Sequence, residues 1–230
     1  MFSCENHRRE LDARIESITS LLDATHPIES KSRKESETCT TILVDASKEA
    51  RGLAILLLYA AYESLIVTLC RTILVTATRL RVGNRRLKPG LKLFAIHSYL
   101  QSLSDSNQGS IWNGNGLKLI KTIDNTKECT INTNTFPKDG SHMKKSQICT
   151  FCNLLDLGDP GPILREVWDK IDSVVIARNK IAHGELRADE VGREYTVREV
   201  RDLVKSWHLR WIDFLNWVEI AGSTRTFYRT

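Results

Sequence analysis

The sequence is short of nearly everything that announces a familiar enzyme. It contains no P-loop, no GxGxxG, no GxSxG and no HExxH. Nothing in it therefore marks a phosphate-cradling glycine loop, a dinucleotide turn, a nucleophile elbow or a zinc-protease helix. Period-two alternation, the mark of a half-buried strand, is scarce, and no internal repeat is visible. Charge of neither sign dominates: 33 basic against 28 acidic side chains leave a formal +5, which permits a phosphate-rich partner without requiring one. Six cysteines in 230 residues do not make a disulfide scaffold. The first ten residues are charged almost from the start and hold no apolar h-region, so no secretory signal is expected. The thiols are accordingly expected to be reduced, in a cytoplasm.

What is present reads as helix. With 41% hydrophobic and 27% charged residues the composition is that of a soluble globular chain, taken here as a single domain over 1–230. Leu11, Ile15, Ile18 and Leu22 recur at helical spacing and predict a first amphipathic helix. Pro27 and the polar run 29–37 end it. A second helix is expected over about 38–80. Its Gly52–Cys70 portion is apolar on nearly every side, with Glu63 the single charge, and predicts a buried central helix rather than a membrane span. A turn rich in Gly and Pro follows, then a short helix over 91–103. Residues 105–162 predict an elaborated connection with a short helix and a hairpin near 129–136. Helix resumes at about Ile163, and a last helix opens with the capping-box pair Thr196 and Glu199. It carries Val200, Leu203, Val204, Trp207, Trp211, Phe214, Leu215 and Val218 on one face, as core or dimer interface. The expected fold is all-α, an antiparallel bundle of four or more helices with that elaborated middle connection.

The sharpest segment is Arg178-Asn179-Lys180-Ile181-Ala182-His183, followed by Gly184-Glu185. Arginine holds phosphate by a planar fork of donors, and histidine moves protons near neutral pH. On an ideal helix Arg178 lies about 20° from Val167 and about 40° from Val174, so it extends the apolar stripe of Ile163, Val167, Ile171 and Val174. A cation there needs a partner or a ligand. Asn179 and His183 share a neighbouring face at i, i+4. Arg178 and His183 stand about 140° apart, so one chain does not bring them together automatically. Helix termination at Gly184 would help, and a two-fold partner would help more.

Two further constellations are candidates. Arg79, Arg81, Arg85, Arg86, Lys88 and Lys92 cluster around the turn and could contact an RNA backbone; a solvated loop would look the same. Cys149 and Cys152, with Cys129 and His142 upstream, could supply four zinc ligands, although the spacing is not a standard knuckle and buried reduced thiols are the simpler expectation.

The Arg178–Glu185 run, RNKIAHGE, resembles the Arg-x4–6-His signature of the HEPN superfamily in the form where Asn follows Arg. The segment Leu58-Tyr59-Ala60-Ala61-Tyr62-Glu63-Ser64 is similar to the early helix of RiboL-PSP-type HEPN proteins and their bacterial toxin-like relatives. The resemblance covers roughly 35–220, leaving 105–162 unmatched. It implies an all-α homodimer, a metal-independent endoribonuclease without cofactor, and products with a 2′,3′-cyclic phosphate and a 5′-OH. It further implies that His183 exchanges protons with the 2′-OH or the 5′ leaving oxygen, that Arg178 stabilises phosphate charge, and that Asn179 orients the phosphate or His183. Glu63 would be secondary, paired with Arg178 or a backbone donor. A toxin or defence role, with a nucleotidyltransferase-type antitoxin and no membrane partner, is part of the same expectation. The alternative is a non-catalytic dimerisation or RNA-binding module.

Overall fold

The computed structural model describes residues 2–26, 37–104, 111–112, 114–138 and 140–230, with backbone alone at 37–45. The predicted breakers at Pro27 and most of the polar run after it lie outside these residues. The helices are α1 (Glu5–Thr25), α2 (Glu37–Arg79), α3 (Pro89–Ser104), α4 (Asn115–Ile123), α5 (Lys145–Leu154), α6 (Gly161–Leu164), α7 (Ile171–Ala182), α8 (Ala188–Arg193), α9 (Val197–Gly222) and α10 (Arg225–Tyr228). Among the described residues no strand forms, and an isolated bridge joins Leu87 to Arg229. The chain is all-α.

Helix α2 is the hub, packing against α1, α7, α8 and α9. Cross-links give the directions. On α1, Arg8 bonds Asn216 at 2.8 Å, His208 reaches Asp12 at 2.6 Å and Arg201 reaches Asp23 at 2.7 Å, so α1 and α9 run antiparallel. His7 lies 3.0 Å from Thr72 while His26 bonds Ser47, so α1 and α2 are antiparallel too. The predicted stripe of α1, Leu11, Ile15, Ile18 and Leu22, is buried throughout. Between Ala46 and Arg79, α2 is long and apolar enough to cross a membrane by length and composition, but 56% of its most apolar window is covered by its own neighbours.

The capping box on α9 forms as the sequence requires: Thr196 N donates to Glu199 at 2.7 Å and Glu199 N donates back to Thr196 Oγ1 at 3.2 Å. Its aromatic face closes the core. Tyr62 stacks on Trp211 at 5.1 Å and meets Trp207 edge-on at 5.9 Å, and Phe214 continues the chain of rings. Trp207 and Trp211 are fully buried within one chain, which makes them core.

Three local expectations fail. The continuous helix from Ile163 is instead a short turn of α6, a 3-10 stretch over Arg165–Lys170 and then α7. Arg165 takes φ 46°, a left-handed value that ends α6. Because a 3-10 helix advances about 120° per residue rather than about 100°, the angle drawn from Val167 to Arg178 does not hold; the one from Val174, on α7 itself, does. The hairpin near 129–136 is an Asx-type turn without a ladder, Asn134 N donating to Asn132 Oδ1 at 3.0 Å and Thr135 N to Asn132 O at 3.2 Å. Order after Cys129 comes instead from α5.

Candidate active site

Arg178 sits in the last turns of α7, one turn beyond buried Val174. Its guanidinium lies over the ring of Tyr59 on α2, 4.5 Å from the centroid, a cation–π contact worth about 0.5–2 kcal/mol. Nη1 donates to Asn179 Oδ1 at 2.9 Å. The remaining donors have no protein partner among the described residues. This is how an arginine on the apolar side of a helix is accommodated: a tyrosine face takes the cation, and Asn179 orients the fork.

Glu63 is not paired with Arg178. Tyr59 and Glu63 are i, i+4 on α2, and the Tyr59 hydroxyl donates to Glu63 Oε1 at 3.1 Å. The expected Arg178 pairing is thereby replaced, because Arg178 rests on the ring face while Glu63 is held at the hydroxyl edge. Burial, and then the Glu63 charge, push the Tyr59 phenol up to about 12, with Arg178 acting against them. Tyr59 therefore remains a neutral donor at physiological pH.

Tyr59, Glu63 and Arg178 line one cavity of about 230 Å³ with Val67, Phe136, Lys138, Gly140, His142, Met143 and Gln147. Six of these ten residues come from the middle connection. That segment is tied to α7 and to the 3-10 stretch before it, since Lys145 N donates to Asp172 Oδ1 at 2.8 Å and Lys145 Nζ meets Asp169 at 3.0 Å. It is tied to α2 as well: the Tyr62 hydroxyl donates to the carbonyl of Met143, and the Tyr59 hydroxyl, its proton on Glu63, lies 3.4 Å from the carbonyl of His142. Those two residues adopt φ 54° and 69°, consecutive left-handed conformations that non-glycine residues enter only at a cost of order 1–3 kcal/mol each. Larger cavities, of about 300–330 Å³, open elsewhere and contain neither Arg178 nor His183.

His183 is at the C-cap of α7, with φ −88° and ψ 0°, and is exposed. Gly184, at φ 72°, follows. Gly184 N donates to Ile181 O at 3.1 Å and Glu185 N to Lys180 O at 2.9 Å, the two bonds of a Schellman motif. The glycine is required by its backbone angle, and the cap presents the imidazole to solvent at the C-terminal end of the helix. His183 does not line the Arg178 cavity. Within one chain the two residues face different surroundings.

Beyond the cap, α8 crosses α2 almost backbone to backbone. A Cβ on Gly52 would stand 1.8 Å from Ala188 O, and one on Gly192 would stand 1.9 Å from Lys48 O. Arg51 Nε donates to Gly192 O at 2.8 Å. This crossing fixes the chain that leaves His183.

The basic turn is anchored by Asn84, fully buried, whose Nδ2 donates to Thr122 O and Thr130 Oγ1, both at 2.8 Å. Arg79, Arg81, Arg85 and Arg86 are exposed, Lys88 and Lys92 half-buried, and none has an ion-pair partner among the described residues. The C-terminal segment joins them: Lys88 N donates to Tyr228 O at 3.1 Å and Thr230 N to Arg86 O at 2.9 Å. Arg225 and Arg229 thus extend this surface, which sequence order alone concealed.

The four candidate zinc ligands do not assemble. Among the described residues no group of three or more His, Cys, Asp or Glu could hold a metal. Cys152 points into the core beside Ile148 and Phe151, and its burial pushes the thiol up to about 12. Burial also raises Cys129 and Cys149. His142 belongs to the Arg178 cavity instead.

An all-α bundle that ends its motif helix on a solvent-facing histidine, one turn and a half beyond a tyrosine-mounted arginine, defines a class of helical domain. A family model matches residues 5–207. The chain belongs to the MAE_28990-like HEPN family. No curated protein and no solved structure matches it significantly.

Proposed function

We propose that the protein is a metal-independent endoribonuclease acting as a homodimer. The observation that carries this reading is the state of Arg178: its guanidinium is held on Tyr59 and steered by Asn179, with donors still uncommitted and open to a cavity. Preorganised cationic donors of this kind stabilise charge developing on a phosphate. His183, supplied by the second protomer at the same cleft, takes the ribose 2′-OH proton or gives the 5′ oxygen its proton, water exchanging the other; the 2′ oxygen attacks phosphorus as the bond to the 5′ oxygen breaks. The products are a 2′,3′-cyclic phosphate and a 5′-OH. Family membership supports RNA chemistry of this type. A cytoplasmic toxin or defence effector, restrained by a nucleotidyltransferase-type antitoxin, is the biological setting that fits.

Purified protein incubated with single-stranded RNA in EDTA tests the chemistry. Cleavage is expected, with loss of at least about a hundredfold in Arg178→Ala and His183→Ala. No cleavage, or equal cleavage by His183→Ala, would remove the reading. The second reading, a non-catalytic RNA-binding module, is favoured by the unpaired basic turn. It expects binding insensitive to His183→Ala and weakened by changes at Arg85 and Arg86.

A further inference from the structure

A carboxylate and a guanidinium share the same small cavity yet form no ion pair. Opposite charges this near usually close on each other. Here one side chain keeps them apart: the Tyr59 hydroxyl holds Glu63 through Oε1, and the Tyr59 ring holds Arg178 on its face. The second oxygen of Glu63 has no partner among the described residues, nor do the outer donors of Arg178. The cavity therefore offers an acceptor at one end and anion-binding donors at the other, with the half-buried ring of Phe136 alongside. At about 230 Å³ it falls below the range of about 300–1,000 Å³ that takes drug-sized ligands, and suits one base rather than two.

We infer that this cavity is a nucleotide subsite that selects guanine. A ligand matching both ends carries an anion at one end and a flat edge of N–H donors at the other. A nucleotide has that form. Among the four bases guanine alone sets two N–H donors, N1 and N2, side by side on its pairing edge, and a carboxylate accepts from such donors. Phosphate lies on Arg178, and Lys138 at the exposed mouth adds charge. The subsite rests on the reading of Arg178 as a phosphate ligand. It adds Glu63 as the specificity residue and gives the middle connection a role: the segment that bears Phe136, Lys138 and His142 is held to α2 by the Tyr62 hydroxyl and to the motif helix by Lys145 N on Asp172, with two residues in strained backbone.

The test measures binding of the four nucleoside 5′-monophosphates to the wild-type protein by calorimetry, and maps RNA cleavage sites in parallel. Guanosine monophosphate should bind at least about tenfold more tightly than uridine monophosphate. Glu63→Gln should erase that preference while leaving the circular dichroism spectrum unchanged. Substituting inosine for guanine in the RNA, which removes the N2 amino group without touching the protein, should lower cleavage at that site. Equal affinity for all four nucleotides, no binding at all, or a preference that survives Glu63→Gln would overturn the inference. Selective guanine binding without any RNA cleavage would keep the subsite and defeat the nuclease reading. Cleavage indifferent to the base would do the reverse.

Discussion

Single side chains carry much of the chemistry, and Tyr59 shows how. Its ring and its hydroxyl do separate work, seating Arg178 and restraining Glu63. The i, i+4 spacing of Tyr59 and Glu63 was visible in the sequence, but the ring's contact with Arg178 spans more than a hundred residues and was not. Another residue-scale consequence concerns pH. His7 is buried between α1 and α2 beside Thr72 and Thr68, and its burial holds its pKa below the ordinary 6.5, Glu10 pulling weakly the other way. The unfolded chain then binds more protons than the folded one as pH drops past 6.5. Stability is complete above that value and declines below it. The midpoint of thermal unfolding should fall between pH 7.5 and 5.5, and the fall should be smaller in His7→Gln. Comparing the two proteins isolates His7 from every other group that titrates in this range. An identical pH response in both would show that His7 is not the cause.

At the scale of elements, the tightest constraint is the crossing of α8 on α2. A methyl at Gly192 would meet the carbonyl of Lys48, which cannot swing aside because it belongs to helix backbone. Gly192→Ala is expected to destabilise by at least about 2–3 kcal/mol, in the range of overpacked cores, read as a lowered denaturation midpoint in urea. By contrast Gly140→Ala has open space around its Cβ and is limited to the cost of its φ of 79°. A Gly192→Ala protein as stable as wild type would mean that the two helices sit farther apart than described.

The elements also show what a sequence reader can see. The stripe on α1, the span of α2 and the capping box of α9 were legible because each is decided within a few turns of chain. The RNKIAHGE segment was legible for the same reason, down to the glycine that stops α7. The break at Arg165 was not, because a left-handed arginine has no local signature. Nor was the placement of Phe136, Lys138 and His142 over the motif helix, which depends on tyrosines some eighty residues earlier.

For the whole molecule, the separation of His183 from the Arg178 cavity makes the dimer testable. If each site takes Arg178 from one protomer and His183 from the other, two inactive variants can rescue each other. Mixed after reversible dissociation, Arg178→Ala and His183→Ala chains form mixed dimers in which one of the two sites is intact. Random pairing should restore about a quarter of wild-type cleavage. No recovery, with mixed dimers demonstrated by mass, would place both residues of a working site on one chain.

Helix α2 carries Glu63 at the cavity and Arg79 at the basic turn. Sixteen residues of helix separate them, about 24 Å along the axis. The helix is therefore a ruler. If the protein acts on RNA as proposed, a stacked strand advancing about 3.4 Å per nucleotide needs about seven nucleotides to lie on both stations at once. A shorter fragment can occupy the cavity or the turn but not both. On that proposal, substrate length decides whether the cavity and the basic turn hold the same molecule.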